Sequence, residues 1–268
     1  AHTTTLDIAK IDHVRQRTTN VEGNLAFTLT GSGALDDPRL EAHARLSDLS
    51  VSGERFGAIE LKANTANHSS IYDLTSQLEG AELTAHGQTA LSGDYETKAS
   101  LNFSRFDIGH LLAAAHVSGL NGQSNLEGAV NLEGPLAHPD QMRGEARIKD
   151  LALTVSGVHL RSNGGLHAIM GNSQIKLDPL HVTGEQTDVH VQASMNLAEK
   201  RRLDLAANGS INLKLAETID PDLTASGTTT FRVEAHGPLT DPNLIGKIDF
   251  ENASLALEDL PNSLSQLH

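Results

Sequence analysis

Apolar and polar residues alternate along most of this chain. In "NLAFTLT", Leu25, Phe27 and Leu29 are separated by small or polar residues, and in "DVHVQASMNL" Val189, Val191, Ala193, Met195 and Leu197 keep the same phase. Leu101 and Phe103, and Leu153 and Val155, are shorter instances. "RLDLAANGSINLKL" carries Leu203 and Leu205, slips at Gly209, and resumes with Ile211, Leu213 and Leu215; "GKIDFENASLAL" gives Ile248 and Phe250, then Leu255 and Leu257. Period two sends successive side chains to opposite faces of a strand. An apolar face backed by a polar one predicts antiparallel strands with one side in water. The apolar-phase residues just named are therefore the candidate lining of a single apolar surface. Gly, Asn, Asp and Ser punctuate the strands as turns would. Asn121-Gly122, Asn163-Gly164 and Asn208-Gly209 are hairpin or bulge candidates, and the slip at Gly209 reads as a bulge. One stretch departs from the pattern: "FDIGHLLAAAH" has near-helical spacing and predicts a short helix near 106–116, with "LAETIDPDL" (215–223) as a shortened counterpart.

A longer period lies over the short one. "GALDDPRLEAHARLSDLSV", "GPLAHPDQMRGEARIKDLAL" and "GPLTDPNLIGKIDFENASLAL" each place a Gly five residues before a Pro with a Leu between: Gly33, Leu35, Pro38; Gly134, Leu136, Pro139; Gly237, Leu239, Pro242. A small residue follows (Ala42, Gly144, Gly246), then an Asp or Asn in an alternating run. Asp48 and Asp150 are 102 positions apart, and so are Asp150 and Asn252. The expected organisation is one continuous repeat region over 1–268: the end of a preceding repeat at 1–32, repeats at 33–133 and 134–236, and a truncated one at 237–268. A unit of this length exceeds a solenoid coil of roughly 20–30 residues or a propeller blade of about 40–50, so each repeat holds several strands. Either each is a closed sandwich, or each is a stretch of one long sheet folded over its apolar face. The passage between repeats, "GLNGQSNLEGAVNLEGPLAHP", is itself strand-like, and the chain has no Trp and only two Tyr, Tyr72 and Tyr95, where an immunoglobulin-like core centres on such residues. Both points favour the long sheet. The expected fold is all-β: a long curled antiparallel sheet, a trough lined by aliphatic side chains, built from repeats of about 102 residues.

Composition narrows the functional classes. The 268 residues hold no Cys, which excludes disulfides, thiolate metal sites and thiol nucleophiles. The formal charge of −14 leaves no basic stripe for phosphates, which argues against nucleic acid and against adhesion to anionic headgroups. No stretch approaches the ~18 uncharged apolar residues of a membrane span. The chain opens "AHTTTLDIAK" and stops at "LPNSLSQLH", early in its third repeat, so both ends read as cuts through a longer protein whose anchor would lie outside this piece.

The segment "HGPLTDPNLIGKIDFENASLALEDLPNSLSQLH" resembles the recurring segment of the TamB family, within the wider AsmA-like group. The match is Gly237, Leu239, Pro242, Leu244, Gly246, Asn252-Ala253 and Leu260-Pro261. The copy at 134–155 keeps Gly134, Leu136, Pro139, Gly144 and Asp150 but has Met142 where the family favours Leu; the copy at 33–51 has Ala42 in place of Gly and lacks the Leu-Pro turn. The resemblance is sharp over these three segments and rests on alternation elsewhere. It implies a periplasmic protein of a Gram-negative envelope, anchored to the inner membrane, whose sheet curls into a taco-like groove. It further implies passage of phospholipid acyl chains between the inner and outer membranes, a link to outer-membrane protein assembly, and an Omp85-type barrel partner bound by regions outside this chain.

Catalytic and metal chemistry find little support. Fourteen His are spread from His2 to His268, and the nearest sets (His110/His116, His159/His167, His181/His190) lack the His-x-Glu or His-Glu-x-x-His spacing of a metal site. Solvent-facing strand residues are the expected role for His86, His190 and His236. Asp36-Asp37 and Glu258-Asp259 read as turn residues, there is no Gly-x-Ser-x-Gly elbow, and the Gly-x-Gly of "GSGALDDP" leads to no helix. The expectation is a lipid-conduit scaffold that is not an enzyme and carries no cofactor or metal. The alternative is a structural or adhesive surface protein of tandem β-sandwich repeats without a groove. A carbohydrate-binding module would want more exposed aromatic platforms than two Tyr supply.

Overall fold

The computed structural model describes residues 2–7, 21–34, 37–78, 80–107, 122–198, 201–218, 223–257 and 264–267. Nearly all of these are strand, and none is α-helical. The chain is all-β, and the registered strand pairs are antiparallel, as the alternation required. In chain order the strands are β1 (His2–Asp7), β2 (Val21–Ala34), β3 (Asp37–Val51), β4 (Glu54–Ala66), β5 (Ser69–Leu78), β6 (Ala81–Ala90), β7 (Glu96–Phe106), β8 (Gly122–Ser124), β9 (Leu126–Pro135) and β10 (Arg143–Ile148). There follow β11 (Ala152–Val155), β12 (Val158–Ser162), β13 (Leu166–Gly171), β14 (Gln174–Gly184), β15 (Thr187–Asn196), β16 (Arg202–Asn212), β17 (Leu223–Pro238), β18 (Asn243–Leu257) and β19 (Leu264–Leu267). Two 3-10 segments, Pro139–Gln141 and Leu213–Thr218, interrupt them. Of the helix expected near 106–116, Phe106 closes β7, Asp107 follows it without regular structure, and 108–116 lie outside the described residues.

The chain divides into two compact units, Ala1–His116 with Glu127–Gly144, and Val117–Leu126 with Glu145–His268. In the first, β1 to β7 form an uninterrupted meander, each strand paired with the next, and β9 pairs with β7. In the second, β14 to β19 form a similar meander. There β14 is a branch point: its first half pairs with β13 and its last three residues with β12, which continues to β11 and β8.

Tight hairpins join many strands. Ser52-Gly53, Asn67-His68, Ser156-Gly157 and Asn172-Ser173 are two-residue loops with positive φ at both positions, the turn whose twist matches the flanking strands. Of the dipeptides expected to turn, Asn163-Gly164 joins β12 to β13, and Asn121 lies outside the described residues. Asn208-Gly209 lies inside β16, and the register runs through it on both sides without a shift. Gly209 is therefore not a bulge. Leu205, Ala207, Gly209 and Ile211 keep one parity, and the missing side chain only imitated a slip. Gly209 is needed for close approach, since a Cβ there would lie 1.9 Å from the Asp188 carbonyl oxygen.

The 102-residue repeat has a concrete structural meaning. Its Gly ends a strand in the left-handed region, at φ 97° for Gly33, 124° for Gly134 and 121° for Gly237, and so turns the chain into the following connection. Its Asp or Asn marks a register fault. Asp48 (φ 53°) and Asn252 (φ 51°) sit where the β2–β3 and β17–β18 ladders shift. In the middle copy, Asp150 lies in the gap between β10 and β11, and Asn125 lies in the gap between β8 and β9. Asp and Asn tolerate the left-handed conformation better than other residues with a side chain, which accounts for Asp48 and Asn252; Asp150 does not adopt it.

Candidate functional site

The register places the apolar-phase residues on shared faces. In the first unit, one row runs Leu6, Leu25, Leu46, Ile59, Ser76, Leu83, Phe103 across seven strands, and the next runs Phe27, Ala44, Leu61, Leu74, Ala85, Leu101. A third joins Leu29, Ala42, Ala63, Tyr72, Gly87 and Ala99. At ~4.8 Å per strand the seven-strand row is roughly 30 Å long and the six-strand rows roughly 24 Å. In the second unit, Leu177, Ala193, Leu205, Ala235, Leu244 form one row and Leu180, Val191, Ala207, Val233, Gly246 the next. Val182, Val189, Gly209, Phe231 and Ile248 form a third, and Ile175, Met195 and Leu203 a fourth. Ile211 pairs with Thr229, which pairs with Phe250. Tyr72, across from Gly87, sets an aromatic ring next to a bare backbone; a Cβ on Gly87 would meet the Tyr72 ring at 2.3 Å.

These rows are not a closed core. Phe27 is 40% exposed, Leu29 49%, Ile248 56% and Leu244 67%. Leu25, Leu101, Phe103, Val189, Val191, Ala193, Met195, Leu203 and Leu205 are half-buried, each shielded by its row neighbours. Among the described residues, the buried apolar ones are Ala81, Leu126, Met142, Val158, Leu213, Ala225, Ala235 and Ala253, and the largest fully buried side chain is Val158. A sheet packed on a second layer would bury its Leu and Phe instead of its Ala.

Several expected lining residues stand apart. Leu153 and Val155 are on β11, half-buried, opposite Leu160 and Val158. Leu197 is half-buried just past the end of β15. Leu213 and Leu215, expected to continue an alternating strand, lie instead in the 3-10 segment after β16. The Asn212 side chain accepts from the Lys214 backbone N–H at 3.0 Å and turns the chain there. Leu213 is buried with Ala225 and Ala253, with Leu223 and Phe250 packed against them, so this corner is a small core and not part of an open face. Leu255 and Leu257 pair with Ala225 and Leu223.

The opposite face is polar and ion-paired across strands. His43 and Lys62 flank Glu60 at 2.8 and 3.3 Å, and His86 meets Asp73 at 2.7 Å. His167 donates to Asp178 from Nδ1 and to Glu145 from Nε2, both at 2.7 Å. These two carboxylates, Asp178 foremost, hold its imidazole above the ordinary value. His236 is raised in the same way, by Asp204 first and Glu234 second. Glu145 and Glu60 are lowered, chiefly by hydrogen bonds from His167 and His43.

One cluster differs. His181 and His190 are direct cross-strand partners on β14 and β15, their rings stacked 4.1 Å apart. Asp188 Oδ1 lies 3.0 Å from His181 Nε2 and 3.5 Å from His190 Nδ1. All three ligand atoms fall within 4.8 Å of one another. Sequence spacing hid this set, because its members sit on two strands and meet only through the register.

A polar cleft of about 660 Å³ in the first unit is lined by residues including Ser69, Gln88, Glu96, Lys98, Glu133 and Arg143. Ser69 accepts from Gln88 at 3.0 Å and donates to the Thr89 carbonyl, with no histidine among the described lining residues to serve as its base. Comparison with known proteins gives no match: no family model, curated protein or solved structure is similar enough to this chain.

Proposed function

We propose that the chain is a lipid-conduit segment whose apolar sheet face carries phospholipid acyl chains between the inner and outer membranes of a Gram-negative envelope. The observation behind this reading is the set of aliphatic rows that cross many strands yet stay half open to water, backed by an ion-paired polar face. An acyl chain gains roughly 0.8 kcal/mol per CH₂ removed from water. Rows of Leu, Val, Ile and Ala offer that gain along their length, so tails slide while the headgroup stays in solvent. The resemblance noted from the sequence adds the periplasmic setting, the link to outer-membrane protein assembly and an Omp85-type barrel partner reached through regions outside this chain. The role is transport and scaffolding, with no catalysis.

The test is a pair of photo-crosslinkers in the protein expressed in a bacterial periplasm and purified without detergent. Val191 faces Leu180 and Ala207, while His190 faces His181 and Asn208 on the reverse side. Mass spectrometry should find phospholipid adducts at Val191 and none at His190. A folded sample with no adduct at either position overturns the conduit and moves the assignment to a structural stalk of β-repeats.

A further inference from the structure

We propose that His181, His190 and Asp188 form a binding site for a divalent transition-metal ion of the zinc class, on the polar face of β14 and β15. In a tetrahedral zinc site with Zn–N near 2.0–2.1 Å, neighbouring ligand atoms lie roughly 3.3 Å apart. The two His–Asp separations here, 3.0 and 3.5 Å, bracket that value. Two imidazoles and one carboxylate are a nitrogen–oxygen set suited to Zn²⁺ and unsuited to Mg²⁺, which takes oxygen ligands. The partial exposure of all three side chains leaves a fourth position open to water.

The other histidine–carboxylate triples show why this one is distinct. At His167 the two carboxylates sit on opposite ring nitrogens, Asp178 on Nδ1 and Glu145 on Nε2. At His236, Asp204 is on Nδ1 and Glu234 on Nε2. Ligands on opposite sides of a ring cannot converge on one ion. At Asp188 a single oxygen is the meeting point of nitrogens from two rings. The ladder fixes the three backbone positions, with Asp188 and His190 two apart on one strand and His181 opposite His190; the rings stack within 19° of parallel, so binding an ion tilts one imidazole out of the stack until both nitrogen lone pairs point at it. The bound ion would clamp β14 to β15 just beyond the register shift between Leu177 and Leu180, on the strand where β12 and β13 diverge.

The experiment uses the full chain stripped with chelator, then titrated with ZnCl2, CoCl2 or MgCl2. Readouts are thermal midpoint, the visible absorption of Co²⁺, and the imidazole resonances of the histidines. The expected result is about one equivalent of Zn²⁺ or Co²⁺ bound, a raised midpoint, a tetrahedral-type Co²⁺ spectrum, and shifts confined to His181 and His190 while His86 and His236 stay put. His190→Gln should weaken binding more than about tenfold, and His236→Gln should leave it unchanged. Circular dichroism confirms that each variant is folded; if His190→Gln is not, Asp188→Asn and the wild-type resonances decide. An equal midpoint gain with Mg²⁺, equal Zn²⁺ binding by His190→Gln, or no ion taken up by the wild type at millimolar concentration overturns the site.

Discussion

Asn252 and Gly227 face each other at the fault in the β17–β18 ladder, and neither position accepts an ordinary residue. Gly227 has φ 101°, and a Cβ on it would lie 2.5 Å from the Asn252 carbonyl oxygen. Gly227→Ala should therefore destabilise by about 1–3 kcal/mol, read from the urea midpoint. Asn252→Gly should be nearly neutral, and Asn252→Val should cost about 1–2 kcal/mol because a β-branched residue resists the left-handed region. Equal midpoints for Asn252→Gly and Asn252→Val would refute the role assigned to that residue. The ionised pairs set a pH dependence at the same scale. His167 and His236 have folded values raised above 6.5, so their stabilisation is complete below 6.5 and is lost as pH rises through the folded values. Glu60 and Glu145 are lowered from 4.5, so theirs is present above 4.5 and is lost as pH falls through the folded values. The thermal midpoint should peak between these limits and decline on the alkaline side, with a small amplitude because the groups are exposed. The double variant His167→Gln/His236→Gln should flatten the alkaline decline; an unchanged slope would remove these two residues as its cause.

Each strand presents two environments, and substitutions should divide accordingly. Val191 and Leu205 are half-buried on the open apolar face, whereas Val158 is 1% exposed. Val191→Asp or Leu205→Asp leaves the new carboxylate within reach of water and should lower stability by no more than about 1–2 kcal/mol while abolishing lipid capture. Val158→Asp buries a charge and should unfold its region, a loss of several kcal/mol. Paired denaturation and crosslinking measurements check this. A collapse of Val191→Asp comparable to that of Val158→Asp would mean that the face is a packed core.

For the molecule as a whole, the consequence is thermodynamic. Among the described residues the buried apolar side chains are few and half of them are Ala, so unfolding these strands exposes little apolar surface that was not already partly wet. Calorimetry should give a heat-capacity increment per residue below the usual ~12–15 cal/mol/K, and the urea m-value should be correspondingly small. On the proposed conduit role, phospholipid bound in the rows should raise the thermal midpoint by mass action. An ordinary increment in lipid-free protein would contradict the open face.

The all-β class and the antiparallel pairing were legible in the sequence, because period-two alternation is imposed by strand geometry itself and needs no partner to express it. The left-handed positions at Gly237 and Asn252 left a local mark as well, since they restrict residue type wherever they occur. Other features were decided only in three dimensions. Gly209 looked like a bulge and is an unbroken ladder position, because close approach by the Asp188 carbonyl and loss of register both call for glycine. Leu213 continued the alternation but left the strand, turned by the Asn212 side chain and drawn into contact with Ala225 and Ala253. The convergence of His181, His190 and Asp188 had no signature in spacing, since it depends on which residues two strands set opposite each other. Residue pattern settles what a strand shows to each side; only the register between strands decides which side chains meet.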